Sequence, residues 1–482
     1  MWERIEKWIE GRQWLIVILA AVIVLRVPSL FEPYWYGDEG IYLTVGQALD
    51  RGEALYKDIH DNKPPLLYWM AAAAGGNQFW FKLLAGLWCL GTVGIGYWTF
   101  GKIWGKDEKG KLVSTAVLAI LTTLPAWEGN IANAELFFLL PTVAAMGILW
   151  GTKDWKRVFL GGIVIGIGGL FKMPAIVEAG IWPAMWWLGK DKKWLAKSLV
   201  LAAGVILPIA TSVSYFATAG ASKEYWTAAW AQNLPYLSSW KATSDGAGIY
   251  SIKGRVVLVI GILGLVAWRG KKWNKRAQLA VMWGIVTLFA ATLSGRPYPH
   301  YLLQTAGAVA LAAGLLARGE RKAGVGIWAG VLAVMIVFKF WWYPVGAYYL
   351  NFGKWMWGQV SQEEYFRWFN GAVVRNYEVA RIVMEGSGPD DRLFVWGDEP
   401  MIYALTRRRP VGKYTAAYHI RDFGALAETV RGLESSSPRY IVVIYNENEL
   451  PGLGQLLDER YKLEKTVDGV RVYRRVISIS WL

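Results

Sequence analysis

Eleven apolar stretches alternate with short polar turns along the chain: 13–30, 79–100, 112–127, 134–151, 155–171, 173–188, 195–217, 252–268, 277–293, 301–317 and 323–344. A helix needs about 20 apolar residues to cross a bilayer. The pattern therefore predicts an α-helical polytopic membrane protein with about 11 or more transmembrane helices. A charged amphipathic stretch, Trp2 to Arg12, precedes the first run without a small-residue cleavage site, which reads as a retained span. Two polar intervals are longer than turns. Residues 31–78 contain amphipathic helical patterns, and 218–251 is rich in Ser, Ala, Gly and aromatics.

Beyond residue 345 the long apolar runs stop. An aromatic, interfacial stretch (Trp355, Trp357, Tyr365, Trp368) leads into a helix-like run from Tyr377 to Glu385. Leu393 to Trp396 and Tyr440 to Tyr445 read as buried strands, with helices at Gly424–Leu433 and Gln455–Tyr461 between and after them. Val470 to Tyr473 reads as a final antiparallel strand. The expected organisation is a transmembrane domain over 1–345 and a small α/β domain over 346–482.

Composition sharpens this reading. Hydrophobic residues make up 54% of the 482 and charged residues only 18%, against about 25% in soluble chains. The 30 Trp and 24 Tyr suit the bilayer–water boundary. The net charge of +15 would suggest nucleic acid in a soluble protein, but here the basic residues sit in short loops and report topology. One set of alternate loops, with the N-terminal segment, holds 22 Lys and Arg, among them Arg12, Lys102, Lys111, Lys156, Lys193, Lys275, Arg276 and Arg321. The opposite set holds seven: Arg51, Lys57, Lys63, Lys172, Lys223, Lys241 and Arg296. The rule that cytoplasmic loops carry the excess places the first set inside and the 346–482 domain outside, in the cytoplasmic membrane of a cell. Cys89 is the only cysteine, so an intramolecular disulfide and a thiolate metal site are excluded. Three histidines, His60, His300 and His419, are too few for a His-rich metal site.

The outer set of loops carries the candidate chemistry. A charged group near the membrane is costly and calls for a partner or a purpose. Asp38 and Glu39 follow the first span; Asp38 can cap the next helix or accept a proton from a hydroxyl while Glu39 orients the substrate. Lys63 stands before Pro64-Pro65 and an apolar helix, where it either snorkels to headgroups or meets an anion. Glu128 and Glu135 flank the third outer turn; Glu128 reads as solvated, and Glu135 calls for a facing cation, base or hydroxyl. Lys172 tips a hairpin of two short runs, recessed below the surface, where it suits a phosphate or pairs with Glu178 or Glu135. Arg296 offers a bidentate grip on phosphate, with His300 and Tyr301 as further donors. Gly162 and Gly166 read as a helix-packing pair.

The stretch Gly37-Asp-Glu-Gly-Ile-Tyr42, with Arg51-Gly52, Leu55-Tyr-Lys-Asp58 and His60-Asp-Asn-Lys-Pro-Pro-Leu66, resembles the first outer loop of GT-C membrane glycosyltransferases. The nearest types are protein O-mannosyltransferase and aminoarabinose-transferase relatives, above all the RgtA/B/C/D-like branch. The turn with Glu135, the Lys172-Met-Pro tip and Gly295-Arg-Pro-Tyr-Pro-His-Tyr301 follow in the same order. The resemblance implies a GT-C fold and an inverting glycosyltransferase, hexosyl or pentosyl. It would move a sugar from a polyprenyl-phosphate donor to an extracytoplasmic acceptor (lipid, glycan or protein) in cell-envelope glycan synthesis. On that likeness Asp38 and Glu39 are catalytic, and Glu135 and Glu128 position the acceptor or a metal. Lys63, Lys172, Arg296, His300 and Tyr301 bind the donor phosphate. Glu135 departs from the Asp that many of these proteins carry. A divalent metal such as Mg or Mn is compatible with the likeness, and nothing in the sequence requires one. The partners implied are donor, acceptor and bilayer, with no nucleic acid. The rival class is a secondary transporter or lipid flippase with an outward-facing charged cavity; a binding module merely anchored by the spans would not need so many of them.

Overall fold

The computed structural model describes residues 12–234, 248–269 and 273–476. The loop basic residues Arg4, Lys7, Lys241, Lys271 and Lys272 lie outside them. The described residues are mostly helical, with one small sheet among them in the C-terminal part. Four described helical stretches are long and apolar enough to cross a membrane: Gln13–Phe31, Gln78–Trp104, Trp194–Thr218 and Pro299–Ala317. Most other apolar runs also form helices, though shorter, among them Glu108–Thr123, Ala134–Leu149, Trp155–Gly169, Lys275–Ala291 and Arg321–Val337. The run at 173–188 departs from the expectation of one short α-helix. It begins as a 3-10 stretch, Met173–Gly180, and becomes α-helical only over Ile181–Leu188.

Contacts divide the chain into two compact units, and the division does not fall at a single point near 345. The first unit comprises 1–29, 82–218 and 233–346; the second comprises 30–81, 219–232 and 347–482.

In the first unit, glycines set how closely helices approach. A side chain at Gly162 would collide with the Leu201 carbonyl oxygen at 2.2 Å, and one at Gly204 with the Phe159 carbonyl oxygen at 2.2 Å. The helices Trp155–Gly169 and Trp194–Thr218 therefore cross backbone to backbone there. Gly166, one turn on, receives Pro208, which completes the small-residue seam expected from the sequence. Helix Ala306–Ala317 packs against Glu108–Thr123 in the same way, with Gly314 against Ser114 and Trp104. The core is large and apolar, running from Phe100 through Trp283 to Phe340. By contrast Gln13–Arg26 leaves Trp14, Val17, Ile23 and Val24 exposed, an apolar surface suited to lipid.

In the second unit, helix Gly37–Asp50 is buried from Glu39 to Ala48. Gly46 lets the backbone of Ala71 approach, and Gly40 admits Met401. Gln47 Nε2 donates to the carbonyls of Gly76 and Ala404, both at 2.9 Å. The first polar interval is thus packed onto the C-terminal region. That region holds a five-stranded sheet built from β1 (Arg392–Trp396), β2 (Arg409–Pro410), β3 (Tyr440–Val443), β4 (Tyr461–Val467) and β5 (Val470–Arg475), in the order β2-β1-β3-β5-β4. β1 pairs in parallel with β2 and β3, while β5 runs antiparallel to β3 and β4. Helix Ala372–Glu385 starts before the expected Tyr377, and the helix expected to reach Tyr461 ends at Arg460. Tyr461 instead opens β4.

Candidate active site

The sequence-selected residues fall into two groups, one in each unit. In the second unit, helix Gly37–Asp50 starts at Gly37 with Tyr36 as its cap. Asp38 therefore lies in the first turn and is not the cap, contrary to the structural role the sequence suggested. Its carboxylate accepts from the Tyr42 hydroxyl one turn on, at 3.0 Å. Glu39, next to it, is buried.

Lys63 is anchored at its backbone: its N–H donates to the Tyr68 hydroxyl at 3.0 Å, and its carbonyl accepts from the Tyr56 hydroxyl at 2.8 Å. Its ammonium lies 3.8 Å from Asp38 and 3.4 Å from Asp61, with the Tyr42 ring centroid at 4.9 Å. It pairs with carboxylates and does not snorkel outward. Asp38 keeps a third of its side chain exposed, at 34%, whereas Asp61 keeps 1%.

Sequence reasoning passed over Asp61. Burial would raise its carboxyl pKa, but Lys63, His419, the Tyr68 hydroxyl and the Asn62 N–H together outweigh burial and hold it at about 2. Tyr68 donates to it at 2.8 Å, and His419 Nε2 lies 3.6 Å away. Beside it His60 shares a 3.0 Å hydrogen bond with Gln232 and stacks edge-on to Tyr414. Burial, reinforced by His419, lowers His60 to about 4. The signal was present as an acid two positions before Lys63; its burial was not.

In the first unit, Lys172 donates to Glu135 and lies 4.3 Å from the Tyr301 ring centroid. Of the two partners expected for Lys172, Glu135 is the one it takes. Glu178 is fully buried, and it accepts from the Trp283 indole at 3.0 Å and the Gln304 amide at 3.2 Å.

Glu128 is not solvated, as its place in a turn had suggested. It is buried at φ 59° and bonded to His300 Nδ1 at 2.6 Å and Asn133 Nδ2 at 3.3 Å. Two cations set within apolar stretches of the sequence brace this turn. Arg26 donates to the Gly129 carbonyl, and Lys82 to that of Asn130 at 3.2 Å. His300 stacks on Tyr298 and meets Tyr301 edge-on at 4.4 Å. Arg296 lies half-buried on the same segment, its N–H within 3.4 Å of the Ser294 hydroxyl. Among the described residues no three His, Cys, Asp or Glu side chains converge so as to hold a metal ion.

Comparison with solved structures adds the fold. The chain superposes on the crystal structure of ArnT from Cupriavidus metallidurans, bound there to undecaprenyl phosphate, with a TM-score of 0.60 at 16% identity, covering 97% of this chain and 99% of that one. The chain shares the fold of that protein. A weaker likeness, TM-score 0.45 at 12% identity over 89% of this chain and 67% of that one, is to an oligosaccharyltransferase of Archaeoglobus fulgidus in complex with zinc and sulfate. No family model matches the sequence, and neither does any curated protein.

Proposed function

We propose that the protein is an inverting, polyprenyl-phosphate-dependent glycosyltransferase of the cytoplasmic membrane, with its active site and C-terminal α/β region outside the cytoplasm. The observation that carries this reading is the half-open ion pair of Asp38 and Lys63. A part-exposed carboxylate beside an ammonium supplies both things the reaction needs, a proton acceptor for an incoming hydroxyl and a cation for a departing phosphate. The GT-C fold, and an ArnT structure that holds undecaprenyl phosphate, support the lipid-phosphate class of donor.

In this reading Asp38 takes the proton from the acceptor hydroxyl. The oxygen attacks the anomeric carbon on the face opposite the phosphate, and the carbon–oxygen bond to phosphate breaks with its electron pair going to the phosphate. The configuration inverts in one displacement. In the second unit Lys63 meets the departing phosphate and Glu39 orients the acceptor. In the first unit Lys172 and Arg296, with Tyr301 and His300, are the candidate phosphate-binding groups, Glu135 is the candidate acceptor-orienting acid, and Glu128 acts on His300. Asp61 is a positioning residue: fixed and ionised, it holds Lys63 in reach of Asp38.

The test is transfer from a polyprenyl-phosphate sugar by purified protein. Asp38→Asn should abolish transfer while the variant still folds. Unchanged turnover rejects the assignment, and solute or lipid flux in proteoliposomes without any transfer points to a transporter instead.

A further inference from the structure

A second place on the first unit, lined by none of the residues assigned above, has the features of a lipid site. A cavity of about 550 Å³ opens along the C-terminal half of helix Gln78–Trp104. Its size lies within the range of roughly 300–1,000 Å³ usual for small-ligand sites. Three cations border it, Arg12, Lys102 and Lys111. Its floor is made by Gly94, Trp98 and Gly101, which share one helix face at spacings of four and three. Nothing lies within 4 Å of where a side chain at Gly94 would begin, so the glycine leaves an open apolar trough.

The cations are oriented by aromatic rings. Lys111 lies over Tyr97 at 4.4 Å and Lys102 over Trp98 at 5.8 Å. Lys111 gives one N–H to Glu108 at 2.7 Å and another to the Tyr97 side chain, which fixes the ammonium at the cavity's edge. A neighbouring cavity of about 390 Å³ shares Lys102 but is a weaker candidate. Its guanidinium, Arg276, is already spent on the helix end, donating to the carbonyls of Ile103 and Trp104 at 3.0 Å each. That capping favours the first cavity, because it satisfies the negative end of the helix, which would otherwise repel an anion.

We infer that this cavity binds one acidic phospholipid of the cytoplasmic leaflet. Its phosphate meets Arg12, Lys102 and Lys111, and one acyl chain lies in the trough at Gly94. The apolar floor selects a lipid over a free anion, and the cations select an acidic headgroup over a zwitterionic one. The leaflet assignment rests on the membrane orientation proposed above.

The experiment uses the full chain in detergent and measures binding and thermal shift with phosphatidylglycerol, phosphatidylcholine and inorganic phosphate. Phosphatidylglycerol alone should bind and raise the melting temperature. The double variant Arg12→Gln/Lys102→Gln should weaken it about thirty-fold, which is about 2 kcal/mol at roughly 1 kcal/mol per basic residue. Gly94→Leu fills the trough without touching a charge, and should weaken phosphatidylglycerol while leaving the melting temperature without lipid intact. Wild-type affinity in both variants overturns the site, and an equal response to inorganic phosphate overturns the lipid. Labelling of Lys106→Cys by an impermeant thiol reagent from the outside would overturn the leaflet independently, since the native Cys89 is buried.

Discussion

The two charged groups are built on opposite plans. In the first unit each partner closes on the other: Glu135 with Lys172 and Glu128 with His300, three of the four side chains no more than 4% exposed and Lys172 at 17%. In the second unit one ammonium serves two carboxylates, of which Asp61 is sealed and Asp38 is open. A closed buried pair resists opening, because removing one partner strands the other charge away from water. A shared cation with one exposed partner can trade that partner for a substrate at little cost. On the proposed reading, the first group fixes and holds and the second transfers a proton.

The sharpest way to break this contrast is Asp38→Asn. Loss of a positioned general base should lower turnover by about 10²–10⁴-fold, read as the rate of sugar transfer, with little change in melting temperature because Asp38 is half-open. If instead the melting temperature falls and turnover survives, the open carboxylate is structural and the contrast fails.

Next come the closed pairs. Lys172→Met strands the Glu135 carboxylate and should destabilise the protein by about 3–5 kcal/mol, read by thermal unfolding in detergent. Lys172→Met/Glu135→Leu should recover most of that loss while remaining inactive. Lys63→Met should cost less stability, because Asp61 keeps the Tyr68 hydroxyl and the Asn62 N–H.

Acid should resolve two steps within the second unit. Folded His60 binds its proton only near pH 4, whereas an unfolded histidine binds it near 6.5. Between those values the unfolded state holds more protons, so stability rises with pH. The contribution is full above about pH 6.5 and is lost as the pH falls toward 4, amounting to no more than about 3 kcal/mol. Asp61, held at about 2, loses its contribution in a lower window, from about pH 3.9 downward. His60 faces His419, Asp61 and Lys413. His60→Phe should remove the upper window of an acid-unfolding curve and leave the lower one, and a curve unchanged between pH 6.5 and 4 would refute the assignment.

Helices of the first unit were legible because an apolar run of 16 to 23 residues has few other fates. The 3-10 stretch Met173–Gly180 was not, since hydropathy does not distinguish helix types and Pro174 could equally have opened an α-helix. β4 was missed for the opposite reason. It carries Lys462, Glu464 and Lys465, is exposed along most of its length and sits at the sheet edge, where charge is favoured and no apolar alternation is required. For the site, residue type and spacing were enough to find Asp38, Lys63, Glu135 and Lys172. Burial was not readable from them. Asp61 and Glu128 look like ordinary loop acids until Tyr68 and His300 are placed against them, and Arg26 and Lys82 look like interruptions in apolar runs until they meet the carbonyls of Gly129 and Asn130.

The smallest expected effect tests how the open group is held. The Tyr68 hydroxyl donates to Asp61 and accepts from the Lys63 N–H, so it ties the sealed acid to the backbone that carries the shared cation. Tyr68→Phe keeps the ring, which meets those of Tyr42 and Tyr56 edge-on, and removes only that tie. Stability should fall by about 1–2 kcal/mol, since a bond to a charged acceptor is lost while the packing stays. Asp61 then depends more on Lys63 and draws the ammonium away from Asp38. Turnover should drop less than about ten-fold, well short of the loss in Asp38→Asn, and its acid limb should shift as the base loses its cation. A Tyr68→Phe enzyme with the wild-type pH profile would mean that Asp61 does not govern Lys63, and that the open pair sets its own geometry.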